Sequence, residues 1–137
     1  MKLLCVEDNA VQRRMIDLML AATGIDVDFA CNGFEAIEAF QISEYDAVLM
    51  DVEMPEMSGL KTAREIRQME GGFKLDYTPI LFIGGAHDEA ELEDGLDAGG
   101  DGHLMKPFTS DALLGALDQV MKAANGQGLQ GMLRATR

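Results

Sequence analysis

Two hydrophobic periodicities alternate along this chain, and that alternation constrains the fold more than any other feature. Short β-branched and apolar runs occupy Lys2–Val6, Val27–Cys31, Ala47–Met50, Ile80–Ile83 and His103–Met105. Helix-period segments lie between them, at about Asn9–Thr23, Gly33–Ile42, Gly59–Met69, Asp88–Ala98 and Ser110–Ala124. Strands and helices alternating at this spacing build right-handed βαβ units, so the strands run parallel and helices cover both faces of the sheet. Central strands read as unbroken apolar runs because both of their faces are buried. The expected fold is a five-stranded, doubly wound α/β domain.

Local chemistry marks the boundaries. Asn32 and Glu35 form a capping box ahead of the second helix, and Ser58 and Thr109 can cap the third and fifth. Gly24 and Gly126 stand where helix C-termini call for a left-handed residue. In the first helix Val11, Met15, Leu18 and Met19 form an i, i+4, i+7, i+8 stripe expected to face the core, which leaves Ile16 and Leu20 as a second apolar pair at its flank. Gly71 through Pro79 reads as a longer surface connection. Residues 1–124 are expected to form the domain, and 125–137, where the apolar pattern fades and the chain ends basic, a tail or linker.

Charge narrows the range of partners. The 137 residues include 24 acidic and 11 basic ones, a net charge of −13. So negative a surface repels phosphate backbones and anionic lipid heads, so binding to nucleic acid or membrane is not expected of this domain. No apolar run approaches the roughly 18 residues of a membrane span. Cys5 and Cys31 both fall in strand-like runs and are expected to be buried reduced thiols, which suits the cytoplasm.

Sites in open parallel sheets form beyond the carboxyl ends of the strands. Those ends carry Glu7-Asp8 after the first strand, Asp51 and Glu53 after the third, Gly84-Gly85 after the fourth and Lys106-Pro107 after the fifth. Strand-end carboxylates can simply cap the following helices, as Asp8 or Asn9 would here, but capping does not account for the whole set together with the lysine. Crowded carboxylates repel unless a cation intervenes, and Mg²⁺ suits a site of few carboxylates with several retained waters. Screened in this way, Asp51 could attack a phosphoryl donor, with Lys106 pairing a phosphoryl oxygen.

Three segments carry a resemblance. Val6-Glu7-Asp8-Asn9, the run Val48 to Gly59 around Asp51, and Ala98-Gly99-Gly100-Asp101 followed by Leu104-Met105-Lys106-Pro107-Phe108 resemble, in order and spacing, the response-regulator receiver domain of two-component signalling. The resemblance spans Lys2 to about Ala124 and implies a flavodoxin-like sheet of order 2-1-3-4-5. It implies that Asp51 is the phosphoacceptor and that Asp8, Asp51 and the backbone carbonyl of Glu53 ligate Mg²⁺, with Glu7 acting mainly through water. Lys106 would contact the phosphoryl group, and the Lys106-Pro107 bond would be cis. The implied partner is a histidine kinase or histidine phosphotransfer protein, docking on a first-helix face that includes Ile16 and Leu20 near Arg13 and Arg14. A downstream output domain or effector would read the state. Such a domain is a phosphoacceptor and not an enzyme, beyond slow loss of its own phosphoryl group.

Two positions depart from the family pattern. Gly84 stands where the family carries Ser or Thr, and His103 where it carries Tyr or Phe. Three readings follow: phosphorylation survives with an altered relay, the domain is a phosphorylation-independent docking scaffold, or His103 is itself a pH- or metal-sensitive switch. The retained Asp8, Asp51 and Lys106 favour the first, and a lone histidine near a sheet edge is ordinarily a surface residue. Glu53 and Ala86 would tune how long the phosphoryl group lasts. The acid-rich fourth helix argues against a partner that buries it in an apolar interface. A dehalogenase-type phosphatase would place its nucleophile on the first strand with a second Asp two residues on; here that position holds Glu53.

Overall fold

The computed structural model describes residues 1–73, 75–85 and 89–125. Five strands, β1 (Lys2–Val6), β2 (Asp26–Ala30), β3 (Ala47–Asp51), β4 (Ile80–Gly84) and β5 (Gly102–Met105), alternate with five helices. The helices are α1 (Ala10–Leu20), α2 (Gly33–Ile42), α3 (Gly59–Gly72), α4 (Glu89–Asp97) and α5 (Ser110–Asn125). All strand pairs are parallel and the order is β2-β1-β3-β4-β5.

The two-residue period of the strands divides the core in two. Leu3, Cys5, Leu49, Leu81 and Ile83 pack with Ile16 and Leu20 of α1 and Leu113, Leu117 and Met121 of α5. Leu4, Val6, Val48, Met50, Ile80 and Phe82 point the other way, onto Ala36 and Phe40 of α2 and Ala63 and Ile66 of α3. The result is three layers, with β3 and β4 buried throughout, β1 buried from Leu3 onward, and β2 and β5 at the half-covered edges.

Helix starts follow their caps. Asn9, Asn32 and Ser58 side chains accept from the backbone N–H three residues on, at 3.0, 2.8 and 3.2 Å, and Thr109 does so at 3.1 Å. Glu35 does not return to Asn32 N–H as a capping box would, but reaches one residue further back and accepts from Cys31 N–H at 2.7 Å. Gly24 takes a positive φ of 78° after α1, whereas Gly126 lies outside the described residues, as does the rest of the tail to 137.

Three further expectations are corrected. The inward face of α1 is Ile16 and Leu20, both fully buried, whereas Val11 is 69% and Leu18 59% exposed, Met15 is exposed, and Met19 is half-buried at the core edge. Both apolar rows have helical spacing, and the sheet selects the one rotated toward β1. Cys31 is exposed and only Cys5 is buried, because β2 ends at Ala30 and Cys31 has already left the sheet. The third helix runs on to Gly72, which shortens the connection that follows it.

Candidate functional site

The parallel arrangement brings the carboxyl ends of β1, β3, β4 and β5 to one edge. Asp51 closes β3, and its register partner on β4 is Ile83, so Gly84 stands one residue further along the neighbouring strand. Beyond Asp51 the chain loops through residues 52–58 and returns so closely that a Cβ on Gly59 would fall 2.0 Å from the Asp51 carbonyl oxygen. Only glycine fits there, and Gly59 N–H donates to the Val52 carbonyl at 2.9 Å. That approach anchors the start of α3 beneath Asp51.

Glu7, Asp8 and Asp51 each offer a carboxylate oxygen, and these oxygens all lie within 4.8 Å of one another. Glu7 and Asp51 are buried and Asp8 is exposed, so the cluster is deep on one side and open on the other. Lys106 reaches in from the end of β5, with Nζ 3.0 Å from Glu7 Oε2 and 3.4 Å from Asp51 Oδ1. Glu53 N–H donates to Asp51 Oδ1 at 3.3 Å, Asn9 N–H to Glu7 Oε1 at 3.2 Å, and Arg13 to the Glu7 carbonyl at 2.8 Å. The Lys106-Pro107 bond is cis.

Electrostatics follow from this packing. Burial and the Glu7 charge push the Asp51 carboxyl up to about 7, against the opposing pull of Lys106. Burial tends to lower Lys106, but its hydrogen bond to Glu7 and the charge of Asp51 outweigh that and raise it. Burial, with Glu7 and Asp51 nearby, also pushes the Cys5 thiol up, which makes it an inert core group. Oxygen donors that repel one another and leave one side open are a donor set for a hard divalent cation, so the residues present fit Mg²⁺.

The other candidates are placed as follows. Glu53 is exposed beside the cluster, Gly84 lies at the end of β4, and Ala86 falls outside the described residues. His103 is half-buried with Nε2 shielded from solvent, contrary to the expected surface position, because β5 turns its ring inward under α4. A groove of about 840 Å³, bordered by Tyr45, Phe73, Tyr77 and Pro79, opens at the opposite end of the sheet and has no part in this site.

Sequence reasoning missed two features. Glu91 belongs to the acid-rich fourth helix, yet it reaches inward over Gly84. Arg67 was not singled out at all. Its guanidinium donates to the Gly99 and Thr78 carbonyls and to Glu70 and Asp101, and stacks 4.0 Å from the Tyr77 ring. The available signal was the i, i+3 pair of Arg67 and Glu70 beside the apolar Ala63 and Ile66 of α3.

The family model for the response regulator receiver domain matches residues 3–118. The transcriptional regulatory protein DltR of Streptococcus agalactiae is 37% identical over 114 residues, which cover 83% of this chain and 49% of that protein. The chain thus spans about half the length of this curated relative. Chemotaxis protein CheY4 of Vibrio cholerae superposes with a TM-score of 0.80 at 33% identity, over 87% of this chain and 97% of that one. The receiver domain of sensor histidine kinase PA1611 from Pseudomonas aeruginosa, solved with magnesium in its active-site cleft, gives 0.75 at 31% identity over 92% and 98% of the two chains. This chain belongs to the response-regulator receiver family, whose members serve two-component signal transduction as phosphoacceptors and bind Mg²⁺ at an acidic pocket. Among the described residues no helix is long and apolar enough to cross a membrane.

Proposed function

We propose that Asp51 accepts a phosphoryl group from the phosphohistidine of a histidine kinase or histidine phosphotransfer protein. An Asp51 carboxylate oxygen forms the new P–O bond, the P–N bond breaks, and the donor imidazole keeps the electron pair. The observation that supports this best is the Asp51 carboxyl itself: it is only 3% exposed at the end of β3, yet faces a lysine 3.4 Å away on the open edge.

Each neighbour has a role in this reading. Lys106 leaves its contact with Glu7 to pair a phosphoryl oxygen as a point charge. Asp8, Asp51 and the Glu53 carbonyl would hold Mg²⁺, with Glu7 acting through water, and the cation when bound neutralises charge on the transferring group. Glu53 at the rim, with Ala86, would govern access of hydrolytic water. Val11, Met15 and Leu18, exposed on α1 beside the site, suit an apolar docking face for the helical donor, in place of Ile16 and Leu20. The cytoplasm, where such donors act and where unpaired cysteines persist, is the compartment we assign. A downstream output domain or effector protein would read the phosphorylated state.

The test is labelling with a small-molecule phosphodonor in the presence of Mg²⁺, followed by the Asp51→Asn variant. Label on the wild type and none on the variant is expected. Stable label on the variant would move the acceptor elsewhere, and an unlabelled wild type with intact partner binding would favour the phosphorylation-independent scaffold.

A further inference from the structure

We propose that Glu91 senses the phosphoryl group, with its carboxylate displaced by charge repulsion so that α4 is released. This rests on Asp51 being the acceptor and adds the element that reads its state.

Gly84 leaves a space at the end of β4 that its neighbours fill. A Cβ built there would lie 2.9 Å from Glu91 Oε1, 3.1 Å from His103 Cε1 and 3.4 Å from Val52 Cγ2. The volume a side chain would fill is therefore occupied from α4 and β5, by a carboxylate and an imidazole. Glu91 Oε2 and His103 Nε2 are both shielded from solvent. Gly84 itself is tied to the site, since its carbonyl accepts from Lys106 N–H at 2.8 Å.

The seating of α4 makes this carboxylate matter. Glu91 and Gly95 share the inward side of α4 at i, i+4, and the buried Ala98 follows just past its end. Gly95 meets the Phe82 ring with no side chain of its own, and Ala98 buries one methyl group. Leu96, at 63% exposed, contributes little. So little apolar area holds α4 to the sheet that one long polar side chain weighs heavily in its position.

A phosphoryl group on Asp51 adds negative charge one strand away, where neighbouring strands are about 4.8 Å apart. Like charges held over neighbouring strand ends, in a space shielded from solvent, repel each other. The Glu91 carboxylate turns outward, and α4 and the His103 ring follow.

Amide and histidine-ring NMR of the Mg²⁺-loaded protein, with beryllofluoride added as the phosphoryl mimic, tests this. In the wild type, resonances around Asp51 and Lys106 shift together with those of α4 and the His103 ring. In Glu91→Gln the strand-end shifts persist and the α4 and His103 shifts fall at least threefold. Gly84→Ala provides an independent variant: its new methyl meets the flexible end of Glu91 and displaces α4 resonances before any mimic is added. Full α4 shifts in Glu91→Gln overturn the proposal, as do wild-type shifts confined to the strand ends. Absence of any shift at Asp51 in the wild type overturns the phosphoacceptor reading, and this one falls with it.

Discussion

The Lys106 ammonium sits 3.0 Å from Glu7, closer than its 3.4 Å to Asp51. The lysine is thus held by the most buried carboxylate of the site while standing next to the proposed acceptor. The two residues directly follow the first and last strands, 99 positions apart, and each makes the other's burial tolerable.

Removing the cation from that pair should be costly. Lys106→Met leaves Glu7 and Asp51 facing each other without a counter-charge, and is expected to destabilise the chelator-treated protein by about 2–4 kcal/mol. Added Mg²⁺ should recover part of the loss. Thermal unfolding with EDTA and with Mg²⁺ measures both; an unchanged midpoint in EDTA would show that the pair carries no stability.

Asp51 is expected to oppose folding when ionised. Its carboxyl is raised from 3.8 to about 7, so between those values the folded chain binds more protons than the unfolded one. The Asp51 contribution to stability is therefore fully present below about pH 4 and is lost as pH rises through 7. Asp51→Asn should stabilise the EDTA-treated protein at pH 8 by about 1–2 kcal/mol, after allowance for screening at an open edge, with roughly two-fifths of that gain at pH 5 and none below pH 4. Denaturant titrations at the two pH values check the sign.

The same proton competes with the metal. Since Asp51 must be ionised to bind, Mg²⁺ affinity should be about tenfold weaker at pH 6 than at pH 8. Calorimetric titration gives this ratio directly. A flat profile would mean that Asp51 titrates well below 6 or does not bind the metal.

Docking and chemistry should separate on α1. Leu18→Glu changes an exposed side chain and should alter stability by less than about 0.5 kcal/mol. Labelling by a small phosphodonor should be unchanged, while transfer from a phosphohistidine protein slows tenfold or more. Equal slowing with both donors would count against a docking face.

Arg67 supports the fold away from the site. Arg67→Met strands the Gly99 and Thr78 carbonyls and the buried Glu70, with an expected loss of about 3–5 kcal/mol. Mg²⁺ affinity of the folded fraction, measured by titration below the unfolding midpoint, should not change.

Much of this protein was legible as a one-dimensional pattern. Strand period and helix period alternate because β1, β3 and β4 are buried on both faces and each helix on one, and that burial is recorded directly in residue type. Caps such as Asn32 with Glu35 act over three or four residues, so sequence contains them entire. The strand-end carboxylates and Lys106 could also be located, since a parallel sheet puts all carboxyl ends on one edge.

Three matters were decided only in three dimensions. On α1 two apolar rows compete, Val11-Met15-Leu18 and Ile16-Leu20, and helical spacing cannot say which one the sheet will take. Glu91 belongs to a run of acids that reads as solvated, and only the empty space over Gly84 makes room for it to turn inward. That Lys106 lies closer to Glu7 than to Asp51 depends on side-chain packing at the shared edge, which no local pattern encodes. Sequence determines what lies within a turn or a strand of itself, whereas contacts between distant segments are set by how the elements pack, and the chemistry of this site lies in those contacts.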